Sequence, residues 1–265
     1  MSNNIVHLNN IHETAIIYSG AEIAKDVEIG PYTIIGGNVK IDSGTEIGAH
    51  VVIEGQTRIG KDNKIFHGAV IGREPQDLKF EGEKGCVEIG NENTIREFAT
   101  IHCGTEAGSG VTKIGDNNLI MAYCHVAHDC QLKNNITITN AVDFGEHVIV
   151  EDSVVITGLA EIYEFVKIGR MAMIGAHSKV TKDIPPYILV DGNPASVHGI
   201  NVVGLRRNGV TPELRKEIKQ AYKYLYRSDN NISQAIKKMD KELNKSSEIE
   251  HFLRFLRNTS REICR

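Results

Sequence analysis

The densest run of reactive side chains in this 265-residue chain is Cys124-His125-Val126-Ala127-His128-Asp129-Cys130. Three chemistries compete for it. Zinc takes Cys and His ligands, but the usual paired C-x-x-C spacing is missing and residues alternating in direction along a strand do not converge on one ion. A structural role is the ordinary fate of any single histidine. Acid–base catalysis is the third, because a neutral imidazole titrates near working pH and a neighbouring carboxylate such as Asp129 can fix its tautomer and stabilise the imidazolium. If a substrate hydroxyl itself attacks an acyl thioester, no Ser or Cys nucleophile is needed.

Whatever positions these groups must follow a six-residue rule. Isoleucine recurs every six positions from Ile11 through Ile71, and the register returns at Ile89, Ile95 and Ile101. It returns again from Ile114 through Val126, Ile138, Phe144 and Ile162 to Val180. Neither a helical nor an alternating-strand period produces such a ladder. Hexapeptide units of strand plus turn, three to a coil, are the mark of a parallel β-helix whose apolar heads point inward. The 26 heads make between eight and nine coils. In that geometry residues eighteen apart lie above one another, so His128 sits over Glu146, Asp129 under His147, and Tyr163 over Gly145. The coil thereby gathers His125, His128, His147 and Tyr163 near one edge, which scattered structural histidines would not do.

Two stretches break the period and leave the coil as loops. One, over 72–88, is charged and contains Gln76-Asp77-Leu78-Lys79; the other, over 102–113, is rich in glycine and reads as mobile. Loops on a rigid scaffold are where function gathers. Asp183-Ile184-Pro185-Pro186-Tyr187 ends the repeat, since proline removes ladder donors. The chain therefore divides into a β-helix over 1–190, whose first ten residues are a polar lead-in, and a helical domain over 191–265. The latter opens with a Gly192-Asn193-Pro194 linker. Thr211-Pro212 starts one helix, to about Arg227. A second spans about Ile232 to Leu243, and Ser247 with Glu250 makes a capping box for a third.

Composition narrows the functions. A net charge of -4 without a basic stripe excludes a nucleic-acid binder, and no window approaches the roughly 18 apolar residues of a membrane span. Five cysteines, an odd number without framework spacing, and no signal peptide point to a cytoplasmic, thiol-reduced protein. A flat-faced prism also invites closed three-fold symmetry, so a homotrimer is expected.

The ladder, the Gln76-Asp77-Leu78-Lys79 loop, the His125-to-Cys130 run, Pro185-Pro186-Tyr187, Asn201 with Gly204-Leu205, and Ala221-Tyr222-Lys223 with Tyr226-Arg227-Ser228 together resemble the UDP-N-acetylglucosamine O-acyltransferases of lipid A biosynthesis. The resemblance covers nearly the whole chain. It implies a mainly β fold, a left-handed parallel β-helix with a C-terminal helical domain, trimeric and with sites between subunits. It implies transfer of an (R)-3-hydroxyacyl group from acyl carrier protein to the 3-hydroxyl of the UDP-sugar, without metal or other cofactor. Carried over by position, His128 is the general base, Asp129 its orienting partner and the backbone N–H of Glu146 the oxyanion donor. His125 and His147 contact the sugar, and Asp77 and Lys79 the sugar or acyl end. Asn201 and Arg207 serve the nucleotide and its phosphates, and Ala176 stands at the acyl-length ruler.

Some positions depart from the family pattern. Glu146 stands where glycine is usual, Tyr163 and Glu164 replace a His-Gln pair, Val203 replaces a carboxylate, and Asn208 replaces a second arginine. They leave open a 3-amino sugar nucleotide as acceptor. Ala176, where glycine is common, would shorten the acyl groove. More distant alternatives are an N-acyltransferase of the same pathway, a γ-class carbonic anhydrase with three histidines on zinc, and a non-enzymatic β-helix.

Overall fold

A computed structural model describes residues 10–259 and 261–265. Most strands are two residues long, an outward residue followed by the inward repeat head, and they stack into three parallel sheets of nine, eight and ten strands. Registers such as Ile16↔Ile34 and Val155↔Met173 hold the eighteen-residue spacing. Across the insertions the spacing stretches, Val70 pairing Thr100 and Thr100 pairing His125, yet the inward residues stay in line. The reason is burial. Every repeat head from Ile29 to Val180 is at most 4% exposed, and a register slip would carry that column of aliphatics to the surface.

Between strands the chain turns through left-handed backbone conformations. Among the described residues seventeen non-glycine residues have positive φ, against ten glycines, so most of these turns are made without glycine. Coil-to-coil hydrogen bonds hold these residues in place, as in His147 N–H to His128 O at 3.1 Å. One corner is held from inside by a column of amides. Asn93 Nδ2 donates to Asn63 Oδ1 (3.0 Å) and to the Gly115 carbonyl (2.9 Å), while Asn93 Oδ1 accepts from Asn118 N (2.9 Å) and Nδ2 (3.0 Å). These buried polar groups are fully satisfied, so they specify register without an orphan's cost.

The insertions are shorter than the sequence implies. Strands Val70–Arg73, Cys86–Ile89, Thr100–His102 and Val111–Ile114 continue the ladder into both breaks, leaving excursions of 74–85 and 103–110. Nor does Pro185-Pro186 stop the sheet. Ile188–Asp191 pairs in parallel with Met173 and Ile174, then turns back antiparallel as Ser196–Ile200.

Four helices follow: α1 (Val202–Arg207), α2 (Pro212–Tyr226), α3 (Ile232–Glu242) and α4 (Ser247–Asn258). The sequence reading overlooks the short α1. It also misplaces one cap: the α4 N-cap is Ser246, whose hydroxyl accepts from Ile249 N, whereas Ser247 donates to Glu248 at 2.6 Å. The helices bury Leu225, Met239, Phe252 and Leu256 against one another and against Tyr187 of the last coil. The C-terminal tail then returns to the prism, where Cys264 N donates to Asp183 O at 2.8 Å.

A mostly buried ion pair also fastens α4 to the coils, His251 Nε2 lying 2.6 Å from Glu151 Oε2. Burial pushes the Glu151 carboxyl up, but the hydrogen bond and charge of His251, the Arg170 N–H and Lys133 outweigh it, so its pKa lies below the ordinary 4.5. A depressed folded pKa contributes stability that is present above pH 4.5 and lost as pH falls through the folded value. Glu151→Gln is therefore expected to lower stability by about 1–2 kcal/mol at pH 7 and to flatten its acid-side decline, read by urea unfolding at several pH values. Parallel pH curves for the two proteins would refute this.

Candidate active site

His125 ends up outward on a strand because Val126 takes the inward place, 0% exposed. The next turn presents His128 and Asp129, 7% and 2% exposed, with Asp129 in the left-handed conformation at φ 60°. His128 Nδ1 lies 2.8 Å from Asp129 Oδ2. One coil on, the perpendicular ring of His147 is 5.4 Å from that of His128 and stacks on Phe165 at 4.6 Å.

Asp129 is the best-connected carboxylate of the site. It accepts from Thr105 N (3.0 Å) and Oγ1 (2.8 Å) and from Ser109 N (2.8 Å) and Oγ (2.9 Å), and its own N–H donates to Thr112 Oγ1 at 2.8 Å. Burial alone would push its carboxyl up. The hydrogen bonds from His128, Thr105 and Ser109 outweigh burial and hold it below the ordinary value, so it is ionised at neutral pH.

These groups open on a groove of about 600 Å³. Asp77 and Lys79 flank it from the first insertion, joined by Leu78, whose side chain is fully exposed. His125, His128, Glu146, Tyr163 and Glu164 line the coil side. His125 Nδ1 sits 2.7 Å from Thr100 Oγ1, and burial, against the pull of Asp143, holds its pKa below the ordinary value. Tyr163 is capped by Lys179, whose Nζ is 4.8 Å from the ring centre. The Glu164 carbonyl accepts from Arg261 of the returning tail at 2.6 Å. Glu146 N–H donates to no group among the described residues, and His147, not Glu146, takes the positive φ of this turn. A side chain at 146 therefore needs no glycine backbone.

Other residues singled out by sequence lie away from this groove. Ala176 sits exposed at another turn. Asn201 is 3% exposed with its carboxamide committed, accepting from Gly204 N and donating to Met171 O, each at 2.9 Å, as the N-cap of α1. Arg207 closes that same helix and does not line the groove. Conversely, the groove contains His102, which sequence reading passes over. Its ring meets His125 edge-to-face at 4.9 Å, and burial with the charges of His125, His128 and Arg73 brings its pKa to about 4, so it is neutral at physiological pH. Only a pairing across the insertion places it there.

His128, Asp129 and His147 could also meet on a metal ion, their nearest ligand atoms all within 4.8 Å. The donors already on Asp129 would have to be displaced first. Cys124 and Cys130 take no part, their buried thiols donating to the Thr139 and Gly145 carbonyls at 3.1 and 3.2 Å; burial pushes Cys130 to about 12.

A stack of hexapeptide coils with a His-Asp pair on its flank and an open groove beside it defines the class: a β-helical acyltransferase of the hexapeptide-repeat type. A family model described as UDP N-acetylglucosamine O-acyltransferase, domain 2, matches residues 183–264. The acyl-[acyl-carrier-protein]–UDP-N-acetylglucosamine O-acyltransferase of Thermodesulfovibrio yellowstonii is 49% identical over 97% of this chain and 100% of its own. That of Thiobacillus denitrificans is 46% identical over 96% and 99%. The LpxA structure from Acinetobacter baumannii superposes with a TM-score of 0.94 at 42% identity, over 97% of this chain and all of that one. The chain belongs to the UDP-N-acetylglucosamine O-acyltransferase family, and its coil is the left-handed parallel β-helix.

Proposed function

We infer that this protein transfers an acyl group from acyl carrier protein to UDP-N-acetylglucosamine, the first step of lipid A biosynthesis, and that the group is an (R)-3-hydroxyacyl chain joined to the 3-hydroxyl. The observation that carries the mechanism is the His128–Asp129 pair facing an open groove. Ionised Asp129 accepts from His128 Nδ1–H, which leaves the Nε2 lone pair to take the proton of the sugar hydroxyl. The sugar oxygen bonds to the thioester carbonyl carbon, and the Glu146 N–H, which donates to no group among the described residues, serves the resulting oxyanion. Collapse breaks the C–S bond, and the proton on His128 passes to the departing carrier thiolate. No metal is required.

The test is acyl transfer from (R)-3-hydroxyacyl carrier protein to UDP-N-acetylglucosamine, with acyl length varied. Product with the acyl ester on the 3-oxygen supports the reading, and no turnover by folded protein refutes it. A second acceptor, the 3-amino analogue, is favoured by the groove's charge: Asp77, Asp143, Glu146, Glu161 and Glu164 line it beside a single lysine, Lys79. Competition between the two sugars decides. At Ala176, a methyl in place of hydrogen would favour slightly shorter chains.

We further propose a homotrimer working in the cytoplasm. Among the described residues no helix is long and apolar enough to cross a membrane. Arg207 and Ala176 lie off the groove of their own chain, which is the arrangement expected if a neighbouring copy supplies them, whereas the buried Asn201 carboxamide is taken up in capping α1. Co-expressed His128→Ala and Arg207→Ala subunits are then expected to recover activity in about a quarter of sites, although each alone is inactive. Sites confined to one chain would recover none.

A further inference from the structure

We propose that Thr105, at the start of the second insertion, is a positioning residue for the general base, holding Asp129 so that its only remaining partner is His128 Nδ1–H. This rests on the general-base reading of His128 given above.

The hydrogen bonds leave the Thr105 hydroxyl one role. Gly108 N–H donates to Thr105 Oγ1 at 3.2 Å, so the hydroxyl proton is free to point the other way, to Asp129 Oδ2 at 2.8 Å. Thr105 N–H adds a second donor to the same oxygen, and Ser109 N–H serves the other oxygen. Ser109 Oγ is less committed, since its single proton is shared between Asp129 and the Val111 carbonyl at 2.9 Å each. The loop is shaped for this contact: a Cβ on Gly108 would come within 2.4 Å of the Asp129 carboxylate. Glycine here permits close approach of the loop to the carboxylate, which gives the composition a purpose other than mobility.

A carboxylate met by donors on both oxygens stays ionised and acts only as an acceptor. It must then accept from His128 Nδ1, which fixes the tautomer that frees Nε2. Without the Thr105 hydroxyl, Asp129 becomes more basic and binds the imidazolium of His128 more tightly. The pH at which the base protonates should rise.

The experiment compares wild type with Thr105→Val, Thr105→Ser and His128→Gln in steady-state kinetics from pH 5 to 9. Thr105→Val, nearly the same shape, is expected to lower kcat about tenfold or more with little change in KM, and to move the acid limb of kcat/KM up by about half a unit to one unit. Thr105→Ser restores the hydroxyl and is expected to bring both back toward wild type. A loss of folded protein would lower activity equally at every pH. An unmoved limb in Thr105→Val, or no rescue by serine, overturns the proposal. Retention of activity by His128→Gln would instead overturn the general-base reading itself.

Discussion

Replacing His128 with alanine is expected to lower kcat by at least about 10²-fold while the fold and its melting temperature stay close to wild type. His128 is buried at the groove edge, where its ring meets His147 edge-on and, among the described residues, hydrogen-bonds to Asp129. Removing it leaves a small space that opens to the groove, so the aliphatic column beneath is untouched. The loss falls on proton transfer. Neighbouring histidines are poor substitutes: His102 protonates only near pH 4, and His125 is committed to Thr100. The measurement is initial rate at saturating acyl carrier and sugar nucleotide, alongside a thermal melt. Activity within tenfold of wild type would remove His128 from the mechanism.

Asp129→Asn is expected to cost about 10³-fold, because it upsets both the base and the loop. A carboxamide has the shape of the carboxylate but half of it is a donor. Thr105 and Ser109 bring N–H donors to both oxygens of Asp129, so either orientation of asparagine sets its NH₂ against at least one of them. If the NH₂ takes the place of Oδ2, it faces both Thr105 and His128 Nδ1 and selects the tautomer with its proton on Nε2, where a base needs a lone pair. If it takes the place of Oδ1, it faces the Ser109 N–H and the insertion loses that half of its anchor. The second readout is amide hydrogen exchange over residues 103–110, expected to quicken in the variant. A fall in kcat without faster exchange would assign the effect to the tautomer alone, and unchanged kcat would contradict the role given to Asp129.

Much of this was legible in the primary structure for a physical reason. A six-residue period encodes its own register, so once Val126 is recognised as an inward head, the outward place of His125 and the stacking of Asp129 under His147 follow from counting. Helix α2 was likewise readable, since Thr211-Pro212 satisfies orphan N–H groups locally. Where two local solutions are equivalent the reading slips by one, as with Ser246 and Ser247. Helix α1 escaped because six residues carry too little periodicity to stand out.

Local sequence alone thus determined the coil and the edge on which the histidines gather, because repeat spacing and side-chain chemistry are properties of the chain itself. The tertiary structure decided what depends on closing loops of unknown path. It showed that residues 105–109 fold back onto Asp129 and that His102 joins the groove. It also showed that the Asn201 carboxamide is spent capping α1. Each of these is a contact between groups with no periodic relation, fixed by which buried donor could find an acceptor once the coil had formed.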